Sequence, residues 1–309
     1  SDTTPSVNEG TTAVETLSVT DTDTGDTNAC TLGGADASSF TCTVSGDSVS
    51  LAFSSAPNYE SPGSADSDND YSVTVTISDG TNTGSTISYT VSVADTNDQT
   101  PAVTVAATYS QAESSATTFQ TYTITDSDTA GTYSCTLGGT DAADFSTSIS
   151  GKVCTVTWAS APDYDNAADS GGNNVYDITL AFSDGTNTLS AQTTAVTVTD
   201  VNDQTPAYSS SDTTPSVNEG TTAVETLTVT DTDTGDSNAC TLGGADASSF
   251  ACTVSGDSVS LAFSSAPDYE SPGSADSDND YAVTVTISDG TNTGSTISYT
   301  VSVADTNDQ

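Results

Sequence analysis

The chain has no histidine, arginine or methionine, and its single cationic side chain is Lys152. Without histidine, Ser/His/Asp and Cys/His catalysis is excluded, and one lysine offers almost nothing to stabilise a developing oxyanion. Paired carboxylates of the glycosidase kind stay open, although most of the acids sit at repeated positions rather than in one cleft. The chain is therefore read as not an enzyme. Against the lone lysine stand 43 acidic residues, for a formal charge of −42. Such a field repels phosphate backbones and anionic headgroups, which argues against nucleic acid and membrane surfaces as partners and calls for cations. No apolar run approaches the roughly 18 residues of a membrane span, so no membrane insertion is expected. No basic start followed by an apolar stretch marks an export signal either.

Low hydrophobicity with high net charge is the composition of disorder. What is present argues otherwise. In "SVTVTISD", residues 72–79, Val73, Val75 and Ile77 fall on one face and Thr74 and Thr76 on the other. Period-two alternation is the mark of a half-buried strand, and a disordered polar tail has no reason to keep it.

Residues 1–99 return at 211–309 with five changes, Ser18/Thr228, Thr27/Ser237, Thr41/Ala251, Asn58/Asp268 and Ser72/Ala282. Between them lies a diverged copy, recognisable from "CTLGGTDAADF" against "CTLGGADASSF" and from "SDGTNT" in all three. The expected repeats are 1–99 (type A), 100–205 (type B) and 206–309 (type A). A unit of about 105 residues can enclose its own core, so these are beads rather than solenoid layers. Short runs of Val, Thr, Ile and Tyr, punctuated by Gly, Asp, Asn and Ser, predict an all-β chain of three antiparallel sandwiches with no convincing helix. "FTCTVSGDSVSLAF", residues 40–53, predicts a hairpin turning at Gly46-Asp47. Trp158 aligns with Phe53 on an apolar strand face and is expected in the core.

Each unit has two cysteines: Cys30 and Cys42, Cys135 and Cys154, Cys240 and Cys252. Two thiols and no histidine make a poor zinc site, and buried reduced cysteines are the bland alternative. The repeat offset places Cys135 on Cys30 but Cys154 on Val49 rather than on Cys42. With the hairpin centred near Ser45-Gly46, positions 42 and 49 are expected to face each other, so the second cysteine has moved to the neighbouring strand yet stays within reach of the first. A change that preserves pairing favours one disulfide per unit and an oxidising, extracellular or cell-surface location.

The acids recur with the same period. "DTNDQTP", "DVNDQTP" and the closing "DTNDQ" contribute Asp95, Asn97, Asp98, then Asp200, Asn202, Asp203, then Asp305, Asn307, Asp308. Asp21/Asp23, Asp126/Asp128 and Asp231/Asp233 form Asp-x-Asp pairs, and Asp79, Asp184 and Asp289 lie in "SDG". Glu9, Glu113 and Glu219 come early in each unit, and "NYE", "DYD" and "DYE" supply Asn58/Glu60, Asp163/Asp165 and Asp268/Glu270. Carboxylate and amide oxygens suit a hard cation, and calcium takes about six to eight of them, more than one stretch can give. The loop acids Asp66, Asp68 and Asp70, with their copies Asp276, Asp278 and Asp280, fit either a further calcium or a plain polar loop.

With these motifs in this order, the chain resembles a tandem array of cadherin repeats, of the divergent bacterial or other microbial surface-protein kind. The resemblance covers all three units and implies Ig-like Greek-key sandwiches with about two to three calcium ions at each inter-repeat junction. It implies that the first junction uses Glu9, Glu60, Asp95, Asn97 and Asp98 with Asp126, Asp128 and Asp184. The second would use Glu113, Asp163, Asp165, Asp200, Asn202 and Asp203 with Asp231, Asp233 and Asp289. Half-sites would remain at Asp21, Asp23 and Asp79, and at Glu219, Asp268, Glu270, Asp305, Asn307 and Asp308. These imply a slice of a longer array, or a subunit that joins further copies head to tail. The expected function is a calcium-stiffened extracellular rod, fibre or adhesin stalk. The alternative is a ligand- or carbohydrate-binding adhesin module with a glycan or cell-surface partner.

Overall fold

The alternating runs become strands on the expected period. A computed structural model describes residues 2–23, 25–115 and 117–307. The first repeat contains β1 (Ser6–Asn8), β2 (Ala13–Ser18), β3 (Ala29–Gly33), β4 (Phe40–Ser45), β5 (Ser48–Phe53), β6 (Asp70–Ser78) and β7 (Ile87–Ala94). The second contains β8 (Thr108–Ala112), β9 (Thr118–Thr123), β10 (Ser134–Gly138), β11 (Phe145–Ser150), β12 (Val153–Trp158), β13 (Val175–Ser183) and β14 (Gln192–Thr199). In the third, β15 (Ser216–Asn218), β16 (Ala223–Thr228), β17 (Ala239–Gly243), β18 (Phe250–Ser255), β19 (Ser258–Phe263), β20 (Asp280–Ser288) and β21 (Ile297–Ala304) complete the set.

Each repeat folds as a four-stranded and a three-stranded sheet: β1-β7-β6-β3 with β2-β5-β4, β10-β13-β14-β8 with β11-β12-β9, and β15-β21-β20-β17 with β16-β19-β18. Consecutive hairpin strands such as β6 and β7 pair, while β3 beside β6, β2 beside β5 and β1 beside β7 are not neighbours in sequence, which is the Greek-key crossing of an Ig-like sandwich. The chain divides into two compact units. One consists of Ser1–Ala107, Thr118–Ala159 and Asp177–Ala195, the other of Thr108–Thr117, Ser160–Tyr176 and Val196–Gln309. The division runs through the second repeat and leaves each linker, with the acids around it, inside one unit.

In β6 the inward set Tyr71, Val73 and Val75 is buried while Ser72 is exposed, as period two requires. It meets Phe40, Leu51 and Phe53 from the other sheet in the core of the first repeat. Trp158 is buried and stacks on Phe145 at 4.2 Å between centroids, a core residue as expected.

The hairpin turns at Gly46-Asp47, with Gly46 at φ +61°. That places its centre between 46 and 47, so Cys42 lies opposite Leu51, and Val44 opposite Val49. The expected facing of 42 and 49 is thus wrong by one step: a two-residue turn built on Gly46 and Asp47 moves every cross-strand partner two residues along. The strand hop itself is real. Cys30–Cys42 and Cys240–Cys252 join β3 to β4 and β17 to β18, whereas Cys135–Cys154 joins β10 to β12. Cα separations are 6.2, 6.2 and 6.1 Å, so either strand lies within bridging distance of the first cysteine. All three bonds tie the two sheets of a repeat together. Replacing Cys135 and Cys154 with alanine is expected to cost the second repeat about 3 kcal/mol, read by denaturant unfolding; an unchanged midpoint would show that the bridge adds nothing.

The repeat signature "GGxD" holds a structural device that acidity alone did not distinguish. Gly34 adopts φ +97° and passes so close to β6 that a Cβ would lie 2.8 Å from the Ser72 carbonyl oxygen. The turn delivers Asp36, buried, whose Oδ1 accepts from Ala65 N at 2.6 Å and whose Oδ2 accepts from Ser72 N at 2.7 Å. Asp246 repeats both bonds with Ala275 N and Ala282 N, and Asp141 accepts from Asp177 N at 2.7 Å. Asp36 and Asp246 thereby staple the long loop to β6 and β20, while Asp141 holds β13 itself. Asp246→Ala removes the acceptor of two backbone donors and is expected to destabilise the third repeat by roughly 2 kcal/mol in a urea titration, where an unchanged midpoint would refute the staple.

Candidate metal centres at the linkers

Glu9 follows β1 and is buried at the end of the first repeat. Its Oε2 accepts from Tyr59 N at 2.8 Å, and its Oε1 accepts from Thr96 N at 2.8 Å. One carboxylate thereby orients both the "NYE" turn and the linker. The turn brings up Glu60, and the linker brings up Asp95; one oxygen from each of Glu9, Glu60 and Asp95 lies within 4.8 Å of the others. Glu60, Asp98 and Asp128 form a second such group, and Asp126, Asp128 and Asp184 a third. Glu60 and Asp128 each belong to two groups, so the three clusters form one chain of acids.

The linker is drawn onto the next repeat's Asp-x-Asp loop by its own backbone and side chains. Asp95 Oδ2 accepts from the amide and hydroxyl of Thr129, and Asp128 Oδ2 accepts from Gln99 N at 2.8 Å. Asn187, from "SDGTN", donates to Gln99 O at 2.8 Å and to Asn97 Oδ1 at 3.2 Å. Asn97 is consequently held by its amide, with its Nδ2 donating to Asp184 O at 3.3 Å.

The second linker repeats the plan. Glu113 accepts from Tyr164 N and Val201 N, and one oxygen from each of Glu113, Asp165 and Asp203 converges within 4.8 Å. Asp200 Oδ2 accepts from Thr234 N and Oγ1, Asp233 Oδ2 from Gln204 N, and Asp231 Oδ1 from Asp233 N. Asn292 Nδ2 donates to Asn202 Oδ1 at 2.9 Å, the counterpart of the Asn187 clasp. Asp203 Oδ2 also accepts from Ser114 Oγ.

One oxygen of most of these carboxylates is satisfied and the other is not. At the first linker both Glu60 oxygens, Asp95 Oδ1, Asp126 Oδ2 and Asp128 Oδ1 are buried without a hydrogen-bond donor. At the second the same holds for both Asp165 oxygens, Asp200 Oδ1, Asp231 Oδ2, Asp233 Oδ1 and Asp289 Oδ2. Two carboxylates 4.8 Å apart repel by roughly 3 kcal/mol at an effective dielectric of about 20, so the arrangement needs either protons or cations. The titration behaviour says the same. Burial, then the charges of Glu9, Asp128 and Asp98, pushes Glu60 above the usual carboxylate range. Burial also raises Asp128, with Asp126 and Asp95 adding to it, and Asp233, with Asp231, Asp165 and Asp200 adding. At Asp184 burial pushes upward too, but the amides of Asn187 and Thr186 outweigh it and hold the group below its ordinary value; Asn292 and Thr291 do the same for Asp289.

Other anticipated residues are placed differently. Asn58, Asp163 and Asp268 each accept from the backbone amide three residues on, of Ser61, Asn166 and Ser271. An amide oxygen does this as well as a carboxylate, which explains asparagine at position 58. Asp21 and Asp79 are joined by Asp26, an acid that the motif reading passed over, while Asp23 donates its amide to Asp21 Oδ1. The Asn82 amide, then that of Thr81, supplies the main pull that lowers Asp79. Glu219 is buried and accepts from Tyr269 N and Thr306 N, with Glu270 and exposed Asp305 and Asn307 in the adjoining segments. Asp308 lies outside the described residues. Two of the loop acids serve as acceptors: Asp68 Oδ1 accepts from Asp70 N, and Asp70 Oδ1 from Ser92 Oγ. Their copies Asp276, Asp278 and Asp280 lie in the same loop of the third repeat, where Asp278 Oδ1 accepts from Asp280 N.

At the two linkers the residues that sequence reasoning missed are not acids: Thr129, Thr234, Asn187 and Asn292. Their signal was periodicity, since "SDGTN" recurs in every unit and a threonine follows each of the three Asp-x-Asp pairs in the sequence.

Sheet order, inter-sheet disulfides and carboxylate-rich linkers define a chain of three cadherin-like β-sandwiches. The sequence matches no protein-family model and no curated protein. Solved structures do resemble it. A protocadherin gammaB7 EC3–6 cis-dimer structure aligns with 100% of this chain and 74% of that one, at TM-score 0.61 and 20% identity. Mouse cadherin-23 EC22–24 aligns over 98% of this chain and 96% of its own, at TM-score 0.61 and 21% identity. Protocadherin gamma C5 EC1–3 gives 0.62 and 18%, over 98% and 100%. At such identities the likeness establishes the fold. Among the described residues no helix is long and apolar enough to cross a membrane.

Proposed function

We propose that the chain is an extracellular structural repeat protein whose linkers bind calcium, so that each ion fixes one repeat against the next. The observation that carries this reading is the set of buried carboxylate oxygens without donors at both linkers, in a chain with one lysine and no arginine or histidine to neutralise them. The donors are all oxygens, which suits a hard cation, and calcium tolerates irregular multi-carboxylate sites better than magnesium. Glu9, Glu60, Asp95, Asp98, Asp126, Asp128 and Asp184 would hold ions at the first linker. Glu113, Asp165, Asp200, Asp203, Asp231, Asp233 and Asp289 would do so at the second. The bound cation supplies neutralisation and a bridge. The chain's own residues supply the rest: Thr129, Gln99 and Asn187 seat the linker, and Pro101 and Pro206 restrict its backbone.

The repeats are taken to be bounded near 99/100 and 205/206, where the linker motif ends. Copies of the same repeats are the natural partners, and the product is a stiffened rod, fibre or stalk, with no catalytic role. A glycan-binding adhesin is less favoured because Trp158, the lone tryptophan, is buried. Calorimetric titration tests the binding. Calcium should bind at both linkers with magnesium much weaker, and heat-free titration would sink the proposal.

A further inference from the structure

The stretch just past each linker does more than connect. Ala102 and Thr125 exchange both backbone hydrogen bonds, at 2.8 and 2.9 Å, and Ala207 and Thr230 do the same at 2.9 and 2.8 Å. In the third repeat Tyr208 then lies over the sheet edge, and Ile287 N donates to its hydroxyl at 2.9 Å. The tyrosine fits because residue 294 is glycine: a Cβ there would lie 2.5 Å from Tyr208 Cε1 and 2.6 Å from Pro206 O. In the second repeat the counterparts of Tyr208 and Gly294 are Val103 and Leu189. The two positions differ together, tyrosine with glycine in the third repeat and valine with leucine in the second.

The first repeat has the same acceptor residues. Thr20, Ile77 and Gly84 are the counterparts of Thr230, Ile287 and Gly294, and they line a groove of about 310 Å³ with Asp21 and Asp79. Ile287 and Gly294 are buried, whereas Ile77 is half-buried and Gly84 exposed. Val19 is likewise half-buried where Val229 is 2% exposed and Ile124 1%.

We propose that the groove between Thr20 and Gly84 is an acceptor for the extended Pro-Ala-Tyr segment that leads out of a type B repeat. In this assignment Gly84 selects tyrosine over the valine that leads out of a type A repeat. The segment adds a short strand, with Ala pairing to Thr20 and the tyrosine hydroxyl accepting from Ile77 N. Residue 84 and its counterparts would thereby encode the alternation of the two repeat types. The inference deepens the head-to-tail reading, but its chemistry is strand addition rather than ion binding.

The test is amide hydrogen exchange of the 309-residue chain with synthetic peptides at millimolar concentration, in calcium and in chelator. Peptide 200–212 should protect Thr20 and Ile77, and peptide 95–107 should bind about tenfold more weakly, the ratio expected from losing one hydrogen bond and its packing. Replacing Ala207 of the first peptide with proline, which removes the pairing N–H, should abolish protection without touching the protein. Gly84→Leu should block the tyrosine peptide, with circular dichroism confirming the fold, since leucine occupies this position in the second repeat. Equal binding of both peptides, or protection that survives the proline, would overturn the proposal, as would no protection by either. Discrimination that persists in chelator would leave strand docking standing without the calcium reading.

Discussion

Raising free calcium from chelated to saturating levels is expected to lift the unfolding midpoint by about 20 °C or more. An ion present at a hundred times its dissociation constant adds about 2.7 kcal/mol to the state that binds it, and 1 kcal/mol moves a repeat of this size by about 4–8 °C. By these figures one ion is worth about 11–22 °C, and further ions held through the shared Glu60 and Asp128 would add to it. The ion-free chain starts low because it folds against its own charge: −42 in total, with donorless carboxylate oxygens buried at each linker. Differential scanning calorimetry in chelator, magnesium and calcium reads this directly. Equal midpoints in all three would mean that the clusters are held by protons alone.

Glu60→Gln should reverse sign between the two conditions. With calcium it removes a charged ligand shared by two clusters, weakening binding at the first linker on the order of a hundredfold, about 2.7 kcal/mol, while the second linker is untouched. In chelator it removes a carboxylate whose two oxygens have no donor and which faces Glu9, Asp98 and Asp128, so the variant should be more stable than the parent. A group whose only role was structural would destabilise in both. The pH dependence follows the same sign. Folding raises the Glu60, Asp128 and Asp233 pKa values, so the folded ion-free chain binds the extra protons. Its stability should therefore rise as pH falls through those raised values toward the ordinary carboxylate range. Asp184 and Asp289 act oppositely: their stabilisation is present above their unfolded value and is lost as pH falls through the lowered folded one. The ion-free chain should then show a stability maximum in mild acid, and a stability that climbs steadily toward neutral pH would contradict this.

Period-two runs and the repeat offset made the sandwiches legible, because alternation reports directly which face is buried. The strand hop of the second cysteine was legible for the same reason: Cys154 sits where Val49 sits, and both are fully buried. The hairpin register was not, since choosing Ser45-Gly46 over Gly46-Asp47 as its centre shifts all partners and only the turn geometry decides. At the linkers, recurrent acids announced themselves by charge. Which of them are staples was invisible: Asp36 and Asp246 recur as faithfully as Asp128, yet their oxygens are occupied by backbone amides. Asn58 was counted with the recurrent motif residues and is a turn acceptor, a role set by the Ser61 amide. Asparagine and threonine clasps carry no charge signature, so only their placement in space reveals them.

The central claim is that calcium at the linkers fixes neighbouring repeats, and small-angle scattering across a calcium titration tests it most directly. The account predicts that the broad distribution of dimensions in chelator narrows to a single value in calcium, that magnesium at equal concentration does not produce it, and that Glu60→Gln shifts the transition to higher calcium. A scattering profile that is the same in chelator, magnesium and calcium would contradict it.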